Sequence, residues 1–345
     1  MASIRDLAKL AEVSAATVSR VLNHDETISV SDETKERIFR IAKEMNYSPK
    51  NRKHSAKSTS LDMSIGLIIR HSESSEATDP YFKDLREGIE NTAKRWRLKV
   101  DLLFRIHDKD KDWDLIPQYG VIVVIGRVAD SYYDKILALN PHLIVVDNPY
   151  YHNNAFLVYN DFYQRTHEVM QYLYDCGHRH IAYIGGYQHI LHLDGHREET
   201  RDDTRLDSYI NFMISHDLSD EIQYHLGDWT TQSGYDLTLE LLKDNKKLPT
   251  ALVVGSDPLA IGVYHACHGQ GIIIPDELSI VSFDDIGLTK YLEPKISSVY
   301  MDTKEMGVVV LQIAKSILAK DINNPIQIIC QSKLNIRDSV KDLNE

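Results

Sequence analysis

AEVSAATVSRVLN, residues 11–23, is the stretch that decides how the chain is organised. Ser14 stands where a helix cap belongs, with its side-chain oxygen able to accept from the first free backbone N–H groups, and the residues after it alternate in helical rather than strand fashion. At about 100° per residue, Val18, Val21 and Leu22 gather on one side of that helix. Ala15, Ala16 and Arg20 gather on another. The first face can pack inward on Leu7 and Ala8 of a preceding short helix, which Ser3 and Asp6 open and Glu12 and Val13 close. A third helix starts after Ser31 and carries Ile38, Ile41 and Ala42 on one side. Three short helices therefore occupy about 45 residues.

Small side chains beside a single guanidinium let a helix lie close in the major groove of DNA. There Arg reads guanine O6 and N7 bidentately and Ala touches a thymine methyl, while Ser14, Thr17 and Ser19 reach phosphates. Charge supports a polyanion at this end only. The chain has a formal net charge of -12, but residues 1–60 carry 11 Lys/Arg against 8 Asp/Glu. Lys50, Arg52, Lys53 and Lys57 follow the third helix with no acid between Met45 and Leu61, the composition of a basic linker.

Beyond Ser64 short apolar runs alternate with helical patterns. SIGLII (64–69), LKVDLLF (98–104), VIVVI (121–125), LIVVD (143–147), HIAYIGG (180–186), ALVVGSD ending at Asp257 and LSIVSFDD (278–285) read as buried strands. Helices are expected near 81–95, 131–139, 162–174, 202–215, 231–243 and 258–269. This alternation means parallel sheets covered on both faces. Asp147, Ser256 with Asp257, and Asp284 with Asp285 close the strands, where the ligand crevice of an open α/β sheet lies. An Asp in that place also serves as a helix cap.

VSAATVSRVLN, followed by the third helix and MNYSP at 45–49, resembles the helix-turn-helix headpiece of the LacI/GalR repressor family. DPYFKDLREGIE, GHRHIAYIGG, GDWTTQSGY, ALVVGSDPLAIGV and IPDELSIVSFDD resemble successive landmarks of that family's two-lobed, periplasmic-binding-protein-like core, nearest to galactoside-responsive members of Ebg and lactose type. The resemblance implies a small all-α headpiece (1–48), a basic hinge linker (49–61), an α/β core of two Rossmann-like lobes with parallel sheets (62–337) and a C-terminal tail (338–345). It implies base reading by Ala15, Ala16 and Arg20, and backbone contacts from Ser14, Thr17, Ser19 and Asn23. Arg52, Lys53 and Lys57 join the DNA contacts from the linker, which lacks the leucine that family members wedge into the minor groove.

For the core, the resemblance implies a small sugar effector, in the first instance a galactoside, contacted by Asp79, Tyr81, Phe82, Asp147, Arg205, Trp229, Ser256, Asp257 and Asp284. Carboxylates accept from adjacent hydroxyls, Arg donates in a fixed fork, and an indole face offers a pyranose an apolar platform. Trp229 has a second reading as a core-filling residue at a helix start. Ser256 and Met301 stand where the lactose-type pattern has asparagine and glutamine. Operator DNA of pseudo-palindromic sequence, a homodimer without a C-terminal zipper, and a cytoplasmic, non-enzymatic, sugar-released repressor complete the expectation. Two alternatives are a cytoplasmic sugar-binding protein without a regulatory role and a regulator using a different small corepressor.

Other chemistries find little support. No G-x-x-x-x-G-K-[ST], G-x-S-x-G or H-E-x-x-H pattern occurs. Cys176, Cys267 and Cys330 are odd in number and far apart, which argues for reduced thiols rather than a disulfide framework. His189, His192, Asp194 and His196 have spacings a metal could use, but no Cys is supplied nearby and the family resemblance places the run in a loop by the effector cleft, so neither metal nor cofactor is expected. No apolar run reaches the length of a bilayer span.

Overall fold

The computed structural model describes residues 4–22, 30–44, 64–151, 153–243 and 248–344. Contacts divide the chain into two units, Met1–Ser60 and Leu61–Glu345. Linker residues 49–61 lie outside the described residues.

In the first unit, α1 (Ile4–Leu10), α2 (Ala15–Leu22) and α3 (Asp32–Glu44) surround one small core. Leu7, Ala8, Ala11, Val18, Val21, Ile38 and Ala42 are buried there. Ser14 caps α2 as its sequence position requires, with Oγ accepting from the Thr17 N–H at 3.0 Å. Ser31 does the same for α3 through the Thr34 N–H at 3.4 Å. Glu12, at φ 54°, makes the turn between the first two helices.

The second unit folds as two α/β lobes. The first lobe opens with β1 (Ser64–Ile69), α4 (Glu73–Thr78), α5 (Pro80–Trp96), β2 (Lys99–Arg105), β3 (Val121–Ile125), α6 (Asp130–Leu139), β4 (Leu143–Val146) and β5 (Phe156–Asn160). The second contains α7 (Phe162–Asp175), β6 (Ile181–Gly186), the paired strands β7 (Gln188–Leu191) and β8 (Arg197–Thr200), α8 (Thr204–Ser215), β9 (Gln223–Gly227), α9 (Thr231–Lys243), β10 (Ala251–Val254), α10 (Asp257–Gln270), β11 (Ser279–Asp284) and β12 (Ser297–Tyr300). The chain then returns to the first lobe as α11 (Thr303–Leu318) and β13 (Gln327–Cys330), and ends in the second as β14 (Lys333–Asn335). Three crossovers thus join the lobes.

Strand order is β13-β5-β4-β3-β1-β2 in the first sheet and β14-β12-β11-β10-β6-β9 in the second. Every ladder in the first sheet is parallel. In the second, every ladder is parallel except that β14 runs antiparallel to β12 at the edge. The central strands are buried along their length, as their unbroken Val/Ile runs demand. Helices α5 and α11 cross so closely that a Cβ on Gly88 would stand 2.9 Å from the Lys304 Cα, and one on Gly307 would stand 2.6 Å from the Ile89 nitrogen.

Residues 338–344 correct the expected tail. Ser339 is fully buried, its Oγ donating to the Ile280 carbonyl at 2.6 Å and accepting from the Ser297 N–H. The Leu343 N–H donates to the Cys176 carbonyl. The segment is therefore part of the second lobe. Among the described residues no helix is long and apolar enough to cross a membrane.

Candidate functional site

A cleft of about 310 Å³ lies between the two lobes, at the carboxyl ends of their strands. Asp79, Tyr81, Phe82, Asp147, Arg205, Trp229, Ser256 and Asp284 all line it.

Arg205 organises the second-lobe wall. It enters at the start of α8, whose cap is Asp203, and its guanidinium turns back onto that same carboxylate: Nε to Oδ1 at 2.8 Å and Nη2 to Oδ2 at 2.7 Å. Nη1 donates to the Gly255 carbonyl at 2.7 Å. Rings of Phe162 and Trp229 each lie 4.4 Å from the guanidinium carbon, so the cation is bracketed by aromatic surface. Burial alone would raise the Asp203 carboxyl, but the charge and hydrogen bonds of Arg205 outweigh it and hold Asp203 below the ordinary carboxylate range. Three of the five guanidinium N–H groups serve these bonds, which leaves two for a ligand.

Asp79 and Asp147 on the first lobe and Asp284 on the second bring carboxyls to the cleft without a bidentate cation of this kind. Asp147 accepts from the Tyr81 hydroxyl at 2.8 Å, and Tyr81 accepts in turn from Asn160 Nδ2 at 2.7 Å. Burial pushes Asp147 up to about 7. Asp284 is raised well above its ordinary value by burial and by the neighbouring charges of Asp79 and Asp257. Asp79, raised chiefly by burial, caps α5 through the Tyr81 N–H at 3.1 Å. Asp147 and Asp284 adopt φ of 61° and 98°, a backbone region uncommon for side-chain-bearing residues and tolerated best by Asp and Asn. Each turns out of its strand just where the cleft begins.

Asp257 is the exception among the expected contacts, and its placement is a correction. Its carboxylate is fully buried beneath the cleft, accepting from the Ser282 hydroxyl, from the Ser298 hydroxyl at 2.9 Å and from the Ile286 N–H at 2.7 Å. It ties α10 to β11 and β12. Met301 is likewise buried, in the core of the second lobe.

Trp229 is half-buried, its Nε1 donating to the Tyr187 carbonyl at 3.0 Å. A Cβ on Gly186 would meet its ring at 2.5 Å, so the glycine is what allows the indole to lie over the end of β6. Trp229 packs against the second-lobe core and faces the cleft.

Three lining side chains carry a buried polar atom with no hydrogen-bond partner: Asn160 Oδ1, Ser256 Oγ and His71 Nδ1. Orphaned buried polar atoms are costly, and these three belong to side chains that line the cleft. Sequence reasoning missed Asn160 and His71. It also missed Arg70, Phe162, Gln188 and Asp203, all at the cleft. Asn160 and Asp203 were open to the strand-end and helix-cap arguments already in use; His71 and Arg70 follow β1 and carry no pattern of their own.

The histidine-rich run forms the β7–β8 hairpin and its turn. His189 sits 3.3 Å from Asp228, and His192 lies 3.2 Å from Glu198. Separate carboxylates thus engage the two imidazoles.

On the headpiece, Arg20 is exposed at the end of α2. Ala15 is half-buried, packing in part against the three-helix core. Ser14 and Thr17 share a hydrogen bond of 2.8 Å between their hydroxyls, which places both at the helix start. The side chains of Ala16 and Ser19, and Asn23, Arg52, Lys53 and Lys57 altogether, lie outside the described residues.

A capped three-helix headpiece with an outward arginine, joined to a two-lobed binding core, defines a ligand-responsive DNA-binding regulator. The profile of bacterial regulatory proteins of the lacI family matches residues 3–50, and that of the periplasmic binding protein-like domain matches residues 170–340. The chain is 33% identical to the HTH-type transcriptional regulator GalR of Streptococcus thermophilus, over 99% of this chain and 100% of that one. Among solved structures it resembles the transcriptional regulator CelR–cellobiose complex (TM-score 0.66, 20% identity, covering 98% of this chain and 100% of that one). It also resembles the lac repressor dimer bound to operator and the anti-inducer ONPF (TM-score 0.66, 18% identity, 99% of each chain). The chain belongs to the lacI family. It is a helix-turn-helix transcriptional regulator, not an enzyme.

Proposed function

We propose that the protein is a cytoplasmic repressor of sugar-utilisation genes that binds a pseudo-palindromic operator as a homodimer and leaves it when a neutral sugar, in the first instance a galactoside, fills the cleft. The single observation that carries this reading is the lining itself. Asp79, Asp147 and Asp284 bring carboxyls to a cavity where hydroxyls can bond to them, Asn160, Ser256 and His71 line it with one unsatisfied polar atom each, and Arg205 is already neutralised by Asp203. An anionic effector would find the Arg205 cation already paired with Asp203. A polyol meets acceptors and an aromatic platform at Trp229. The cellobiose in the CelR complex supports a sugar as the ligand class.

Eight residues are proposed as effector contacts: Asp79, Tyr81, Phe82, Asp147, Arg205, Trp229, Ser256 and Asp284. Arg20, with Ala15 and Ala16, is proposed to read bases, and Ser14, Thr17, Ser19, Asn23, Arg52, Lys53 and Lys57 to hold the DNA backbone. Ligand in the cleft shifts one lobe against the other and changes operator affinity through that coupling.

Operator binding by the pure full-length protein, measured with and without galactosides, glucosides and purines, tests the reading. Release by a galactoside alone is expected. Tightened binding with a purine, or a response to none of the sugars, overturns it.

A further inference from the structure

The β7–β8 hairpin belongs to neither six-stranded sheet. It leaves the second lobe after β6 and re-enters it at α8, so the chain places it in the second lobe; its contacts reach the first. Leu191 packs against the first-lobe cluster that contains Val128, Tyr132 and Tyr133. The Leu191 carbonyl accepts from the Ala129 N–H at 3.2 Å, and the His189 carbonyl accepts from Arg70 Nη2 at 2.5 Å. At the far end of the hairpin Arg127 Nη1 donates to the Asp202 carbonyl at 3.2 Å and Nη2 lies 3.5 Å from its carboxylate.

On the other side the hairpin is fastened to its own lobe. The Tyr187 N–H donates to the Gly227 carbonyl at 2.9 Å, Gln188 Nε2 donates to Asp203 at 3.1 Å, and His189 Nε2 is 3.3 Å from Asp228. Gln188 and His189, between the two sets of bonds, line the cleft. Leu191 does not line it.

We infer that the hairpin is an interlobe strap and that Leu191 is a positioning residue: its side chain, seated in the first lobe, holds Gln188 and His189 over the cleft and keeps the lobes together at that edge before any ligand binds. His189 and Leu191, two residues apart, share one face of β7, and along that face His189 meets Asp228 of the second lobe while Leu191 packs on the first. The bonds formed are chiefly to backbone carbonyls and to one apolar side chain, so the strap does not require a particular effector. Its role stands apart from the identity of the sugar.

Distance measurement between spin labels tests the strap without ligand. Labels at Lys109→Cys in the first lobe and Asp220→Cys in the second, both exposed, are read in a Cys176→Ser, Cys330→Ser background that keeps the buried Cys267, diluted with unlabelled chain. With Leu191→Ser the distribution is expected to broaden and move to longer distance, and exchange of the Ala129 amide to accelerate by roughly tenfold or more. Leu191→Met, which retains the apolar contact, should restore both readouts. An unchanged distance in Leu191→Ser overturns the inference whether or not the hairpin itself loosens, because the lobes would then be held together without it.

Discussion

Asp203 and Arg205, two residues apart at the start of α8, form a bidentate pair at 2.7 and 2.8 Å, nearly excluded from solvent, with aromatic rings on the guanidinium. The resemblance of the sequence to its family singled out the arginine alone. What it cannot show is that the chain supplies its own counter-ion, and that the cleft is therefore closer to neutral on this wall than an Arg would suggest.

Removing one member of such a pair leaves an unmatched buried charge, which costs about 3 to 5 kcal/mol. Asp203→Asn should lower core stability by an amount of that order and weaken any effector. Asp203→Leu with Arg205→Leu should destabilise less than the sum of the single changes. Because Asp203 titrates below its unfolded value, its contribution is full above the ordinary carboxylate range and is lost as pH falls through the folded value. Urea unfolding of Asp203→Asn, the two leucine single variants and the double, compared with the wild type at pH 7 and below about pH 3, checks both statements.

Asp147 has the opposite sign. Its folded value is raised to about 7, so between about pH 4 and about 7 the folded core holds a proton that the unfolded chain has released. Stability from this group therefore falls as pH rises through that window and levels off above it. His71 and His178, both pushed down by burial, tilt the wild type the other way, which makes the useful quantity the difference from Asp147→Asn. The variant should gain about 1 to 3 kcal/mol on the wild type between pH 5 and pH 8. A constant difference across that range would place the Asp147 carboxyl in its ordinary state.

Legibility followed the length and periodicity of the signal. SIGLII, VIVVI and HIAYIGG are unbroken apolar runs, and the structure starts or ends their strands within a residue of the reading. Strands β9 (QYHLG) and β12 (SSVY) mix polar residues into a buried position, and β14 is three residues at an edge; none carries a pattern that sequence alone distinguishes from a loop. The tail reading failed for a related reason. Polar IRDSVKDLNE is held in the second lobe by hydrogen bonds of Ser339 and by backbone pairing, with Val340 its one side chain packed on the core. At the site, strand-end aspartates were visible because the fold class says where strands point; Asp257 was read into the cleft because one residue of register separates a lining side chain from one that caps and braces the layer beneath.

In the headpiece, Arg20→Ala should cost about 1 to 3 kcal/mol at the cognate operator and relax preference at one G·C pair per half-site, since a bidentate base contact is lost. Ser14→Ala removes the α2 cap seen at 3.0 Å and should destabilise the headpiece by about 0.5 to 2 kcal/mol while weakening all sequences alike. Competition binding on operator variants separates them. Equal losses on every sequence for Arg20→Ala would make it a phosphate contact.

Lys53 and Lys57 belong to the basic linker. Replacing both by Gln should reduce the slope of log K against log salt by about 0.9 for each phosphate contact removed, with base preference largely kept. An unchanged slope would mean that the linker stays off the DNA.

Trp229 permits a test that separates the sugar platform from the packing role, because its position depends on Gly186. The indole lies where a Gly186 Cβ would be, at 2.5 Å, and is fixed by its bond to the Tyr187 carbonyl. Trp229→Phe removes that bond and part of the platform; Gly186→Ala keeps the indole but forces it from its place. With Trp96 and Trp113 left in both variants, a galactoside should change the emission of the wild type, lose most of that change in Trp229→Phe, and bind more weakly by about 1 to 2 kcal/mol in either variant. Headpiece folding should persist, since α1 to α3 have their own core. If Gly186→Ala binds the sugar as the wild type does while its indole emission shows displacement, the ring is packing rather than platform, and the hydroxyls must be held by Asp147, Asp284 and the orphaned atoms of Asn160 and Ser256 alone.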